Sequence, residues 1–297
     1  MERAPRHSRS AGAAPIGARA ALALCLSGCG IARPHTPPLG RVRAPGVSGA
    51  AQFAPPLPGY RLAWHDEFDG AALDTTRWTA YAGPRRGARN DPSAVSVAHG
   101  VLALAAFTED STHSVGFIDT AGKFAATYGW FEARVRFGSA PGEWGAFWLQ
   151  SPVMGTAIGD PATGGAEIDV AEHRATDAEG ARIDDRYGIN LHWDGYGEAH
   201  KHAGGEGAPA PGAAPLQGGW HTYAVHWTSE RYVFYLDGVR QWETDQGVSH
   251  RPEFLKLTCE VQDGSWAGHI PAGGYGPRGR SVTGMRVDWV RVWQSPT

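Results

Sequence analysis

Glu167, Asp169 and Glu172 stand in the run Glu167-Ile168-Asp169-Val170-Ala171-Glu172, which otherwise reads as a buried apolar strand. Unpaired acids are unfavourable in such a place, so three of them point to chemistry. Side chains alternate faces along a strand, which puts Glu167 and Asp169 together and turns Glu172 the opposite way. One inserted bulge residue restores Glu172 to the shared face. The two glutamates are then about four regular steps apart, roughly 13 Å of backbone at ~3.3 Å per step. Side chains that lean inward close most of that span. Carboxyl groups ~5 to 5.5 Å apart suit substitution at a sugar's anomeric carbon with retention, one attacking and the other donating a proton. Crowded carboxylates cannot all ionise easily, so one proton is retained near neutral pH and the titrations are coupled. Glu167, Asp169, Glu172 and His173 could instead form an oxygen and nitrogen metal site.

The elements around this run read as strands. Phe131, Ala133, Val135 and Phe137 alternate with Glu132, Arg134 and Arg136, giving one buried and one polar face. Tyr223, Val225 and Trp227 belong to another strand. Tyr232 to Leu236 runs into Asp237-Gly238, a tight-hairpin dipeptide, with Val239 to Trp242 returning. In Glu143 to Gln150, parity places Trp144, Ala146, Trp148 and Gln150 on one face and Phe147 and Leu149 on the other. The two indoles suit the flat faces of pyranose rings, or else fill a second core layer. Met285 to Trp293 closes the chain as a strand, and no long amphipathic helix is evident. An antiparallel double sheet is the economical architecture.

Bulk properties exclude other classes. A formal net charge of -3 gives no basic surface for nucleic acid. Twelve Trp and 41 Gly beside 3 Met suit a turn-rich β protein. Residues 1–19 carry Arg3, Arg6, Arg9 and Arg19, a short apolar stretch follows from Ala20 to Leu26, and Leu26-Ser27-Gly28-Cys29 resembles a bacterial lipobox. Residues 1–29 are therefore expected to be an export signal, leading to a lipoprotein at the cell envelope or a secreted protein, with any membrane contact made through Cys29. Residues 30–59, rich in Pro and Gly, are expected to be a tether, and 60–297 a single domain, monomeric. Cys259, beside Leu257 and Val261, reads as a small buried hydrophobe.

Taken together, the residues resemble glycoside hydrolase family 16, an all-β family of jelly-roll, concanavalin-like sandwiches with a curved substrate cleft. The resemblance covers Trp64-His65-Asp66-Glu67-Phe68-Asp69-Gly70, Leu73-Asp74 and Trp78, then Tyr128 to Val135, Gly142 to Leu149, Glu167 to Glu172, and Val287 to Val292. The spacing of the acids resembles the bulged motif of the laminarinase and agarase branch. It implies Glu167 as nucleophile, Asp169 as assisting carboxylate and Glu172 as acid/base. It also implies substrate contacts at Trp144, Trp148, His192 and Trp266, with His192 near the acid/base. A structural calcium at Glu67, Gly100 and Asp288 is implied as well, although Asp288 could simply pair with Arg286 or Arg291; catalysis itself needs no cofactor. His200 and His202 read as a solvated loop in preference to a metal cluster.

The implied partner is a polysaccharide, and the implied activity is endo-hydrolysis of β-glycosidic bonds, β-1,3(4)-glucan being the first substrate to consider. Agarose, carrageenan or β-galactan, transfer to a sugar acceptor, and a carbohydrate-binding jelly roll without catalysis are the alternatives. The insert from Pro152 to Gly165 departs from many relatives and could wall one end of the cleft.

Overall fold

The computed structural model describes residues 53–296 apart from Val282. The expected signal, the lipobox and Cys29, and the first part of the expected tether lie outside the described residues. The rest forms two packed sheets. One has eleven strands and runs from Val239–Thr244 through Tyr232–Leu236, His221–Trp227, Gly129–Arg136 and Gly284–Gln294 to Val101–Glu109 and the short strands beyond it. The other has seven, in the order Lys201–Gly207, Tyr187–Trp193, Ala166–Arg174, Glu143–Gln150, Phe254–Val261, Phe117–Asp119 and Thr79–Ala80.

Alternation produces the core between them. Phe131, Ala133 and Val135 from one sheet and Phe147, Leu149 and Ile168 from the other are all fully buried in one apolar cluster. Each large side chain so buried contributes about 1.5–3 kcal/mol. The hairpin at Asp237-Gly238 forms as expected, with φ of 49° and 77° at the two turn residues. Pairing is antiparallel except that Ala88–Asn90 lies parallel to Thr112–Val115, a departure from the purely antiparallel expectation. The one α-helix among the described residues is Pro161–Gly164, inside the Pro152 to Gly165 insert. Cys259 is fully buried as expected, its Sγ 3.4 Å from Glu143 Oε1.

The first strand, Arg61–Asp66, pairs with the last, Gly284–Gln294, so the two ends of the domain stabilise each other. Phe53 and Leu57, within the segment expected to be a tether, pack with Trp130 and Trp293, and Arg291 lies 3.9 Å from the Phe53 ring centre.

Candidate active site

The acid strand, Ala166–Arg174, is the third of the seven. Against Glu143–Gln150, Ala171 pairs with Phe147 and Asp169 with Trp148, leaving Val170 unpaired. Against Tyr187–Trp193, the register slips between Asp169 and Glu172. This is the bulge that parity requires. Ile168, Val170, Ala171 and His173 are buried on the core side, whereas Glu167, Asp169 and Glu172 line one cavity of about 360 Å³.

Each acid has its own partner. Asn190 Nδ2 donates to Glu172 Oε2 at 2.7 Å. His192 Nε2 lies 3.4 Å from Asp169 Oδ2. The Tyr196 hydroxyl donates to Glu167 Oε2, and Gln150 Nε2 lies 3.4 Å from the same oxygen. Burial pushes the Glu172 carboxyl up to about 8, and the charges of Asp169 and Glu167 add to the rise. Asp169 is also raised, first by burial and then by Glu167, while Lys256 opposes the shift. The cavity thus holds at least one carboxylic proton at neutral pH, that of Glu172, while Glu167 Oε2 accepts hydrogen bonds.

The floor and rim come from neighbouring strands. Trp144, Ala146, Trp148 and Gln150 face the cavity as parity predicts. At 4% and 7% exposed, however, Trp144 and Trp148 do not offer the open stacking platform that their sequence suggests. Lys256 Nζ sits 3.8 Å from the Trp148 ring centre, and the Arg86 guanidinium 5.3 Å from that of Trp144. Trp266 meets Trp144 edge to face with centroids 5.6 Å apart, while Arg174 lies 4.4 Å from its ring centre. It extends the aromatic wall without lining the cavity. On the rim, Glu260 binds Arg85 at 2.6 Å and Arg86 at 3.2 Å.

This geometry can be set beside known proteins. The chain matches the family described as "Beta-porphyranase A-D, GH16 domain" over residues 63–295. It belongs to glycoside hydrolase family 16. Among individual relatives, the glucan endo-1,3-beta-glucosidase A1 of Niallia circulans is 25% identical over 283 residues, covering 81% of this chain and 39% of that protein. The keratan-sulfate endo-1,4-beta-galactosidase of Sphingobacterium multivorum is 27% identical over 262 residues, covering 80% and 56%. This chain therefore spans about two fifths to just over half the length of the first curated relatives it matches. Among solved structures, porphyranase B from Zobellia galactanivorans superposes with a TM-score of 0.62 at 21% identity, covering 79% of this chain and 92% of that one. The laminarinase from Rhodothermus marinus gives 0.62 at 24% identity, covering 80% and 98%. These likenesses support the jelly-roll fold.

Within this family frame, several expectations need correction. His192 does stand near the acid/base, close enough to act on Glu172, but its contact at 3.4 Å is with Asp169, and the hydrogen-bond donor to Glu172 is Asn190. His173 cannot join a metal set with the acids. It is 1% exposed on the core side, stacked on Phe137, with its imidazole pushed down to about 4 by burial. Glu167, Asp169 and His192 do bring one ligand atom each within 4.8 Å of one another. Of the two histidines expected in a solvated loop, His200 does lie in the loop, whereas His202 is exposed but belongs to a strand. His202 lies in Lys201–Gly207 opposite His192, and His200 Nε2 lies 2.9 Å from His192 Nδ1.

At the expected calcium positions, Gly100 has a φ of +73° and a Cβ there would lie 3.8 Å from Asp69 Oδ1. The Glu67 carboxylate receives two Arg291 bonds at 2.9 Å, and Asp288 receives Arg134 at 2.7 Å. A cation there would have to rest on main-chain oxygens and Asp288, an oxygen set that suits calcium.

Sequence reasoning missed Tyr196, Lys256, Glu260, Arg85 and Arg86. Lys256, Thr258 and Glu260 had a usable signal: they alternate with Leu255, Leu257 and Cys259 in Phe254–Val261, which marks a cleft-facing row. Tyr196 and the two arginines, on or beside loops, carried no such periodicity.

Proposed function

We propose that this chain is a retaining endo-β-glycanase that hydrolyses internal β-glycosidic bonds of a polysaccharide, β-1,3(4)-glucan being the first substrate to test. The observation that carries this reading is the bulge at Val170, which gathers Glu167, Asp169 and Glu172 into one cavity while burial keeps Glu172 protonated. Glu167 attacks the anomeric carbon as Glu172 passes its proton to the leaving oxygen. Water then displaces Glu167, with Glu172 taking the proton back. Asp169 acts between them, its negative charge or proton setting the balance. Names of relatives such as the glucan endo-1,3-beta-glucosidase of Niallia circulans support the glucan assignment.

A second substrate, an anionic β-galactan, is favoured by the rim charge. Arg85 and Arg86 share the single carboxylate of Glu260, and Lys256 adds a third cation to the cavity. The matched family's description and the keratan-sulfate galactosidase point the same way. The leader and Cys29 support export with a lipid anchor, and Glu67, Gly100 and Asp288 support a structural calcium that takes no part in the chemistry.

Reducing-end release from laminarin, lichenan, agarose, carrageenan and β-galactan tests the proposal. Glu167→Ala and Glu172→Ala are each expected to lose at least about a hundredfold in rate on the best of these while remaining folded. Full activity in either variant, or binding to a glycan without products from the wild type, contradicts it.

A further inference from the structure

A chain of hydrogen bonds from outside the acid motif ends on Glu167. Lys256 Nζ donates to Gln150 Oε1 at 2.7 Å, and Gln150 Nε2 donates to the Tyr196 hydroxyl at 2.9 Å. Tyr196 in turn donates its proton to Glu167 Oε2. Among the described residues, every hydrogen bond to this carboxylate reaches Oε2, and Oε1 takes none.

Tyr196 is held in place from behind. Asp194 and Gly195 turn the chain with φ of 63° and 74°. Gly159 N donates to Asp194 Oδ1 at 2.9 Å, and Lys201 Nζ stands 2.9 Å from Oδ2. Gly155 packs so closely on this turn that a Cβ added to it would lie 2.8 Å from Gly195 Cα. Both Gly155 and Gly159 belong to the Pro152 to Gly165 insert. At 62% exposed, the Tyr196 residue is anchored at its hydroxyl while much of its surface borders open solvent.

We propose that Tyr196 is a positioning residue for the nucleophile and that the 152–165 insert serves the reaction by bracing it on Glu167 Oε2. This rests on Glu167 being the nucleophile, as in the functional reading above. With Oε2 occupied by donors, Oε1 is the attacking oxygen. In the first half-reaction the bond from Oε1 to the anomeric carbon forms as the glycosidic bond breaks, and Glu172 gives its proton to the leaving oxygen. In the second, water adds to the anomeric carbon, Glu172 accepts the water proton, and the electron pair of the ester bond returns to Glu167. A donor already aimed at Oε2 stabilises that returning charge without reorganisation, so the second half-reaction gains most. Tyr196 keeps its own proton throughout. Burial and the Glu167 charge both raise its phenol above the usual range.

Tyr196→Phe keeps the ring and removes only the donor. Rapid-quench kinetics on an activated aryl β-glycoside of the glycan the wild type cuts fastest is expected to reveal a burst of about one aglycone per enzyme. The second step should slow about tenfold or more, so that kcat and KM fall together. Gly155→Ala, at a position outside the lining of the acid cavity, should move both constants in the same direction. Unchanged kcat, a lower kcat with no burst, or a higher KM with kcat held would overturn the role of Tyr196. Wild-type kinetics in a folded Gly155→Ala enzyme would overturn the role of the insert. A wild type that cleaves no glycan of the panel would overturn the functional reading itself, which keeps the two failures apart.

Discussion

In the proposed reaction Glu172 must hold a proton until the leaving oxygen needs it, and its neighbours pull in opposite directions. Burial, Asp169 and Glu167 together raise its carboxyl to about 8, whereas the Asn190 bond at 2.7 Å favours the charged form. Because the acid must be protonated to act, activity should fall on the basic side as pH passes through the Glu172 value. Removing the Asn190 donor removes a stabiliser of the carboxylate, so the pKa should rise further. Asn190→Ala is therefore expected to move the basic limb of kcat/KM to higher pH, measured as a pH profile on the best glycan. A limb that stays put or moves down would mean that Asn190 does not set this proton.

At the scale of strands, the acid motif contains one unpaired residue. Val170 lets the acid strand keep Ile168 and Ala171 in the core while Glu167 and Glu172 share a face. Deleting Val170 should remove the bulge yet leave Glu167, Asp169 and Glu172 at alternate positions i, i+2 and i+4, still on one face, with Ala171 still turned to the core. Hydrolysis should therefore survive the deletion well above the level of Glu172→Ala, checked by the same reducing-end assay with the sheet still formed by circular dichroism; a drop to the Glu172→Ala level would contradict this reading of the bulge. This part of the site was legible in the sequence, because parity is local: six residues state that a bulge is needed, and eight more place Trp144, Ala146, Trp148 and Gln150 on one face. What lay beyond parity was not legible. Tyr196 reaches Glu167 across 29 positions through a loop whose course depends on glycine packing in a separate insert. The closed faces of Trp144 and Trp148 were equally hidden, because the covering cations Arg86 and Lys256 come from segments distant in sequence.

For the molecule as a whole, the sandwich is closed by its own ends, Arg61–Asp66 against Gly284–Gln294, which leaves the seven-stranded sheet to carry the cleft. The strand pattern and the hairpin at Asp237-Gly238 foretold this architecture, since each depends on alternation or turn chemistry within a few residues. Substrate choice belongs to this scale too, where the rim charges of Arg85, Arg86, Lys256 and Glu260 meet the whole polymer. The central claim is that Glu167 forms a bond to the sugar. A 2-deoxy-2-fluoro aryl glycoside of the preferred glycan, which slows ester breakdown, followed by peptide mapping by mass spectrometry, tests it most directly. A single added sugar on the peptide that carries Glu167, at Glu167 itself, is the expected result; a sugar attached at Glu172, or an enzyme that turns over glycan yet never becomes labelled, would contradict it.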